Sequence, residues 1–162
     1  MNRVARRTAY PIAIRVRNVS PAVLWVVGVV DGAESGARYP HWRATVVGPR
    51  GAIAPPETPD FVRPLLPADF KKLKPGESFD PTAAGDSATW FPIAAFALMT
   101  EQKGAYDAEL ELDMQAEEPE AWMGDALDRR EIAETERTEA LRLLRAVPRI
   151  TVRSNRIRLV VD

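Results

Sequence analysis

At 162 residues with 46% hydrophobic content, the chain suits one domain with one sizeable core, and two full domains would be cramped. Its 22 basic and 23 acidic residues leave a formal net charge of −1, so the molecule as a whole carries no electrostatic footprint for nucleic acid or an anionic membrane. The absence of cysteine excludes disulfides, thiolate metal sites and a cysteine nucleophile.

Residues 1–17 hold Arg3, Arg6, Arg7, Arg15 and Arg17 and no acid, which reads as a solvated terminal arm. After Met1 there is no apolar stretch of signal-peptide length ending in a small-residue cleavage site, and a cytoplasmic protein is expected. The longest apolar run, Ala22 to Val30, is too short to span a bilayer. Ile12, Ile14 and Val16 alternate with Ala13, Arg15 and Arg17 as a half-buried strand, stopped at Asn18-Val19-Ser20-Pro21. Val23 to Val30 is β-branched and almost continuously apolar, the pattern of a central strand covered on both faces. Trp42, Ala44 and Val46 alternate with Arg43, Thr45 and Val47 up to Gly48-Pro49.

Residues 48–67 contain six of the 14 prolines and are expected to be irregular or polyproline-like. Phe70 to Leu73 is a short strand candidate, and Lys74-Pro75-Gly76-Glu77 a turn in which Pro presets the first corner and Gly supplies positive φ at the second. Extended structure restarts at Phe79; a polar loop over 80–89 and an apolar strand over 90–100 follow. Tyr106, Ala108, Leu110, Leu112 and Met114 then alternate with Asp107, Glu109, Glu111 and Asp113, the cleanest period-2 pattern in the chain. The chain closes on a two-part strand, 150–161, whose parity breaks at Ser154-Asn155; a bulge there would return both halves to the core. Arg153, Arg156 and Arg158 on this strand match the acids of 106–114, so the two are expected to pair antiparallel with the acids facing solvent.

Between these strands, about 118–147 changes character. It is rich in Glu, Arg, Ala and Leu, and helices are expected near 119–127 and 129–146, with Ala133, Ala140, Leu141, Leu144 and Val147 as the apolar stripe. Residues 117–139 hold nine acids against three arginines, net −6. The fold class is therefore mainly β: one antiparallel sandwich over 1–162 with a helical insert before the last strand.

Chemistry is sparse. His41, the single histidine, lies between Pro40 and Trp42 at a strand start, where a loop or surface role is expected rather than that of a catalytic base. No phosphate loop, dinucleotide fingerprint or hydrolase signature occurs. The loop acids Asp31 with Glu34, and Asp80 with Asp86, follow no calcium-binding order. No catalytic residue, metal ligand or cofactor is assigned, and an enzyme acting on a small ligand ranks third among the readings. The candidate protein-binding residues lie in the insert: Trp122, Asp125, Asp128, Glu131 and Glu134, an aromatic among acids suited to a basic surface on another protein; equally, Trp122 and the Leu141/Leu144 stripe fit as a cap over an open end of the sandwich. The insert is expected to be dispensable for folding and needed for binding.

The Lys74-Pro75-Gly76-Glu77 turn leading into Ser78-Phe79, and the ending Val152-Arg153-Ser154-Asn155-Arg156-Ile157-Arg158-Leu159-Val160-Val161, resemble pieces of bacterial immunoglobulin-like sandwich domains. In those, a Pro-Gly-Glu turn leads a mid-chain strand and a Ser-Asn kink precedes the last one. The layout is also distantly similar to the intracellular proteinase-inhibitor family of bacteria, although no inhibitory residue carries over. The resemblance implies a non-catalytic protein-binding module or accessory subunit acting through a sheet edge, the proline-rich segment or the acidic insert. The alternative is an inhibitor or immunity-type protein that blocks a partner enzyme.

Overall fold

The computed structural model describes residues 2–4, 14–30, 38–54, 64–81, 102–123 and 132–162. The strands are β1 (Asn2–Val4), β2 (Val16–Arg17), β3 (Leu24–Val27), β4 (His41–Gly48), β5 (Gly51–Ile53), β6 (Phe70–Leu73), β7 (Ser78–Phe79), β8 (Gly104–Asp113), β9 (Thr151–Arg153) and β10 (Ile157–Val161). Helices α1 (Glu120–Met123) and α2 (Glu134–Leu144) fall between β8 and β9. The described protein is mainly β, as its alternating sequence requires.

The main sheet runs β1-β10-β8-β4-β5, with β9 also paired to β8; β1 lies parallel to β10 and the other pairs are antiparallel. The last two strands therefore flank β8 as expected, as the return arm of a hairpin whose connection is helical. Arg153 stands opposite Glu111 and Ile157 opposite Ala108, so four steps along the edge match three along β8. That is the one-residue bulge expected at Ser154-Asn155. Ser154 holds it: its backbone N–H donates to Leu110 O (2.8 Å) and its Oγ accepts from Leu110 N–H (2.9 Å). The bulge puts Val152 and Leu159 on one face, but their burial differs. Leu159 and Val161 are buried, whereas Val152 is 41% exposed, because nothing described covers the first half.

Two smaller antiparallel pairs, β3–β6 and β2–β7, complete the described strands. Val23 to Val30 departs from a fully covered central strand: β3 is shorter, pairs with β6 alone among the described residues, and leaves Val23 47% exposed while Val26, Val27 and Val30 are buried. The turn after β6 forms as expected, with Glu77 N–H donating to Lys74 O (3.0 Å) and Gly76 at φ +80°. Asn18 ties this turn region to the neighbouring loop. Its Nδ2 donates to Leu73 O (3.0 Å) and Ala22 O (2.7 Å), and its Oδ1 accepts from Ser20 N–H (2.9 Å) and Ser20 Oγ–H (2.8 Å). β4 ends at Gly48 as expected, and Pro49-Arg50 turn the chain tightly into β5, a strand not expected in the proline-rich segment, with Gly48 opposite Gly51. Residues 55–63 of the proline-rich segment and the strand expected over 90–100 lie outside the described residues.

The principal core sits on one face of the main sheet. Trp42 from β4, Leu110 and Leu112 from β8 and Met114 just past its end meet Val27, Leu65 and Phe70, and the helical connection adds Trp122, Ala140, Leu143, Leu144 and Val147. A second cluster on the same sheet joins Val46, Tyr106, Ala108, Leu159 and Val161. The expectation of a dispensable insert is overturned here: its apolar residues are core. The helical stripe is also rotated from the expected one, since Leu143 is buried, Leu141 half-buried and Ala133 exposed. Residues 140, 143, 144 and 147 follow the 3.6-residue period more faithfully than the set read from sequence.

Candidate binding edge

The five insert residues separate when placed in the fold. Trp122 has no exposed surface, and its Nε1–H donates to Ala116 O at 2.7 Å. The Arg149 guanidinium stacks 4.7 Å from its ring and the Tyr39 ring lies 5.6 Å away. Tyr39 N–H also donates to Ala121 O (2.9 Å), stitching α1 to the segment before β4. Trp122 is therefore a core residue and cannot serve as a partner contact without opening the core. Acidic neighbours in sequence made it look like a surface aromatic, but α1 is one turn long and its acids point outward while the indole points in. Glu134 is exposed in the first turn of α2, where a carboxylate suits the positive end of the helix. Asp125, Asp128 and Glu131 lie outside the described residues. Burial holds the Arg149 guanidinium below its ordinary value, with the Glu117 carboxylate acting the other way.

The organised polar surface is the other face of the main sheet, where Asp107, Glu109, Glu111 and Asp113 form a central column along β8. On one side Arg43 of β4 reaches Glu111 (3.2 Å) and Asp113 (3.4 Å), and its Nη2 lies 3.1 Å from His41 Nδ1. On the other side Arg153 reaches Glu111 (2.9 Å) and Arg156 reaches Glu109 (3.4 Å). The arginines are more than half exposed and the carboxylates partly covered; pairs open to solvent on one partner contribute about 0.2–1 kcal/mol each, so the ladder selects register more than it stabilises.

Beside that ladder runs an open edge. Met114 N–H donates to Ile150 O (2.9 Å) and Ser154 N–H to Leu110 O (2.8 Å), which turns the backbone groups of residues 150, 152 and 154 toward β8. Antiparallel alternation then turns the N–H and C=O of Thr151 and Arg153 away from the sheet. Among the described residues no strand pairs with that side of β9; β1 begins to border the edge at Asn2, opposite Leu159. On the core-side face of the same edge Ile150 is 43% and Val152 41% exposed. Sequence reasoning named the two-part strand but not this consequence. The signal was present in the parity: Ile150 and Val152 continue the apolar row of Leu112 and Met114 one strand outward.

Two hollows lie elsewhere on the described surface. A hollow of about 250 Å³ beside the β4–β5 turn is lined by Pro49, Arg50, Gln102 and Tyr106, and one of about 170 Å³ by Thr45, Asp107, Glu109 and Arg156. Both are smaller than the roughly 300–1,000 Å³ typical of small-molecule sites. Among the described residues no three His, Asp or Glu side chains gather as a metal-binding group, and no helix is long and apolar enough to cross a membrane. Of the loop acids considered for calcium, Asp80 alone is described. No protein-family model matches the chain, and no curated protein or solved structure matches it.

Proposed function

We propose that the chain is a non-catalytic protein-binding module of immunoglobulin-like build, acting in the cytoplasm, that takes up an extended segment of a partner along the outer side of β9. The observation that carries this is the conjunction at one place of outward-facing backbone groups at Thr151 and Arg153 with the half-exposed apolar pair Ile150 and Val152. Main-chain hydrogen bonds to a sheet edge supply affinity and alternate side chains supply specificity in this mode of recognition. The immunoglobulin-like reading draws support from Trp42, buried on a central strand of the main sheet, and from Tyr106 near the start of β8, whose hydroxyl donates to Gln102 O at 2.9 Å. A buried strand tryptophan and a tyrosine whose hydroxyl bonds back to upstream backbone are features of such sandwiches, and they support the reading. The chain departs from the antibody pattern in having Ala108, not cysteine, two residues after that tyrosine.

The test is a comparison of two baits. Thr151→Pro removes an N–H that faces outward, a position where an edge strand tolerates proline, and it disrupts any added strand. A protein retained by the wild type and lost from a normally folded Thr151→Pro bait supports the reading. Retention of the same proteins by both refutes it.

A further inference from the structure

We infer that the segment taken up by this edge alternates acidic with apolar residues, its acids on the outer face of the sheet beside Arg153, Arg156 and Arg158 and its apolar residues on the core side against Ile150 and Val152. This rests on the edge-binding reading above and specifies its partner.

Three observations carry it. From residue 149 to 161 the chain has four arginines and no acid, and three of those arginines fall in one outer-face column that runs from β9, an open edge among the described residues, to the start of β10, which β1 borders from Leu159 onward. Arg153 and Arg156 are 69% and 68% exposed. Arg153 uses only Nε toward Glu111 and Arg156 only Nη2 toward Glu109. A guanidinium has five N–H donors in a planar fork, so each retains donors for a second carboxylate. Arg158 stands in register with Asp107 and forms no ion pair among the described residues.

The core-side requirement is equally specific. Ile150 and Val152 extend the row that begins with Met114 and Leu112, and a polar residue placed against them would lose its water without gaining a hydrogen-bond partner. An apolar side chain there would bury surface on both strands.

The third observation is the strand already occupying the inner side of this edge. β8 alternates Asp107, Glu109, Glu111 and Asp113 with Ala108, Leu110, Leu112 and Met114, and its carboxylates pair with the same arginine column. Cross-strand pairing obeys the same rules on either side of a strand. The outer side of β9 and the following arginines therefore selects a segment patterned like β8, and a lysine-bearing segment would meet three like charges.

Three capped, fluorescently labelled octapeptides test this on the full chain by anisotropy: valine alternating with glutamate, with glutamine and with lysine. At low ionic strength the glutamate peptide is expected to bind at least tenfold more tightly than the glutamine peptide and the lysine peptide most weakly, with the gap closing at 0.5 M salt. Arg158→Gln, which breaks no ion pair among the described residues, should weaken the glutamate peptide about two- to fivefold and leave the glutamine peptide unchanged. Thr151→Pro should abolish binding of both. Should Thr151→Pro fail to fold, Val152→Lys takes its place, since that side chain is already half-exposed and lysine is a natural edge blocker. If the glutamine or lysine peptide binds as tightly as the glutamate one and is displaced by the edge-blocking variant, the edge is used but its proposed charge preference is wrong. If none of the three binds, the edge reading itself fails.

Discussion

Trp122→Ala measures whether the helical connection belongs to the fold. The indole is fully buried, donates to Ala116 O, and carries the Arg149 guanidinium on its face. Emptying a core site of this size costs about 3–5 kcal/mol, a total that includes the stranded carbonyl and the lost cation contact. A chain of this length shifts its midpoint by about 2–4 °C per kcal/mol, so a fall of roughly 6–20 °C is expected. Trp122→Phe keeps most of the ring volume but leaves Ala116 O without its donor, and about 1–3 kcal/mol is expected for it. Glu134→Ala, on the exposed face of α2, should stay within about 0.5 kcal/mol of wild type. Urea melts followed by far-ultraviolet circular dichroism provide the assay, with calorimetry as a second probe because the substitution also removes a fluorophore. An unchanged midpoint for Trp122→Ala would mean that α1 does not pack on the core and that the indole is free to meet a partner after all.

Asn18→Ala should cost about 2–4 kcal/mol in the same melts, because the carbonyls of Leu73 and Ala22 and the donors of Ser20 lose a shared buried partner; a loss under 0.5 kcal/mol would refute that role. Burial raises the Tyr106 phenol above its ordinary 10.0, with Arg50 acting the other way, so the folded chain keeps a proton that the unfolded chain releases. This contribution is fully present below pH 10 and is lost as pH rises through the higher folded value; Tyr106→Phe should flatten that alkaline decline, and an identical decline in the variant would remove Tyr106 as its source. A double-mutant cycle on Arg153 and Glu111 should return about 0.2–1 kcal/mol, falling with salt, and a coupling above 2 kcal/mol would show that the pair is shielded from water in solution.

The strands that announce themselves in the sequence are those with one wet face. Alternation over 106–114 and over 42–47 named β8 and β4, and opposite charge named the partner of β8, because period-2 patterning survives without knowledge of what lies across the core. The bulge was legible for the same reason: Val152 and Leu159 cannot share a face unless one residue is extra. Trp122 was left open between a partner contact and a cap over the core, and the second reading holds. Its direction depends on a one-turn helix set by the Ala116 and Tyr39 contacts, which are tertiary, and acidic neighbours in sequence say nothing about the side of a helix on which an indole falls. The β4–β5 turn was missed because Gly48-Pro49 reads equally well as a strand end and as a tight reversal. The exposed pair on β9 was hidden by the assumption that apolar alternation implies burial, whereas parity assigns a face and only coverage decides whether that face is dry.

Coverage also links the helices to the edge. β10 borders β8 from Gly104 to Ala108, and there the core face closes over Tyr106, Leu159 and Val161. Further along β8, Leu110, Leu112 and Met114 would face water without a cover, and Trp122, Leu143, Leu144 and Val147 provide it. That cover ends before it reaches Ile150 and Val152, which sit in the same row one strand outward and remain 43% and 41% exposed. A helical connection that shields the middle of the row and stops short of its rim accounts for both observations at once: why the apolar residues of the insert are core, and why the apolar surface beside Arg153 stays half-exposed.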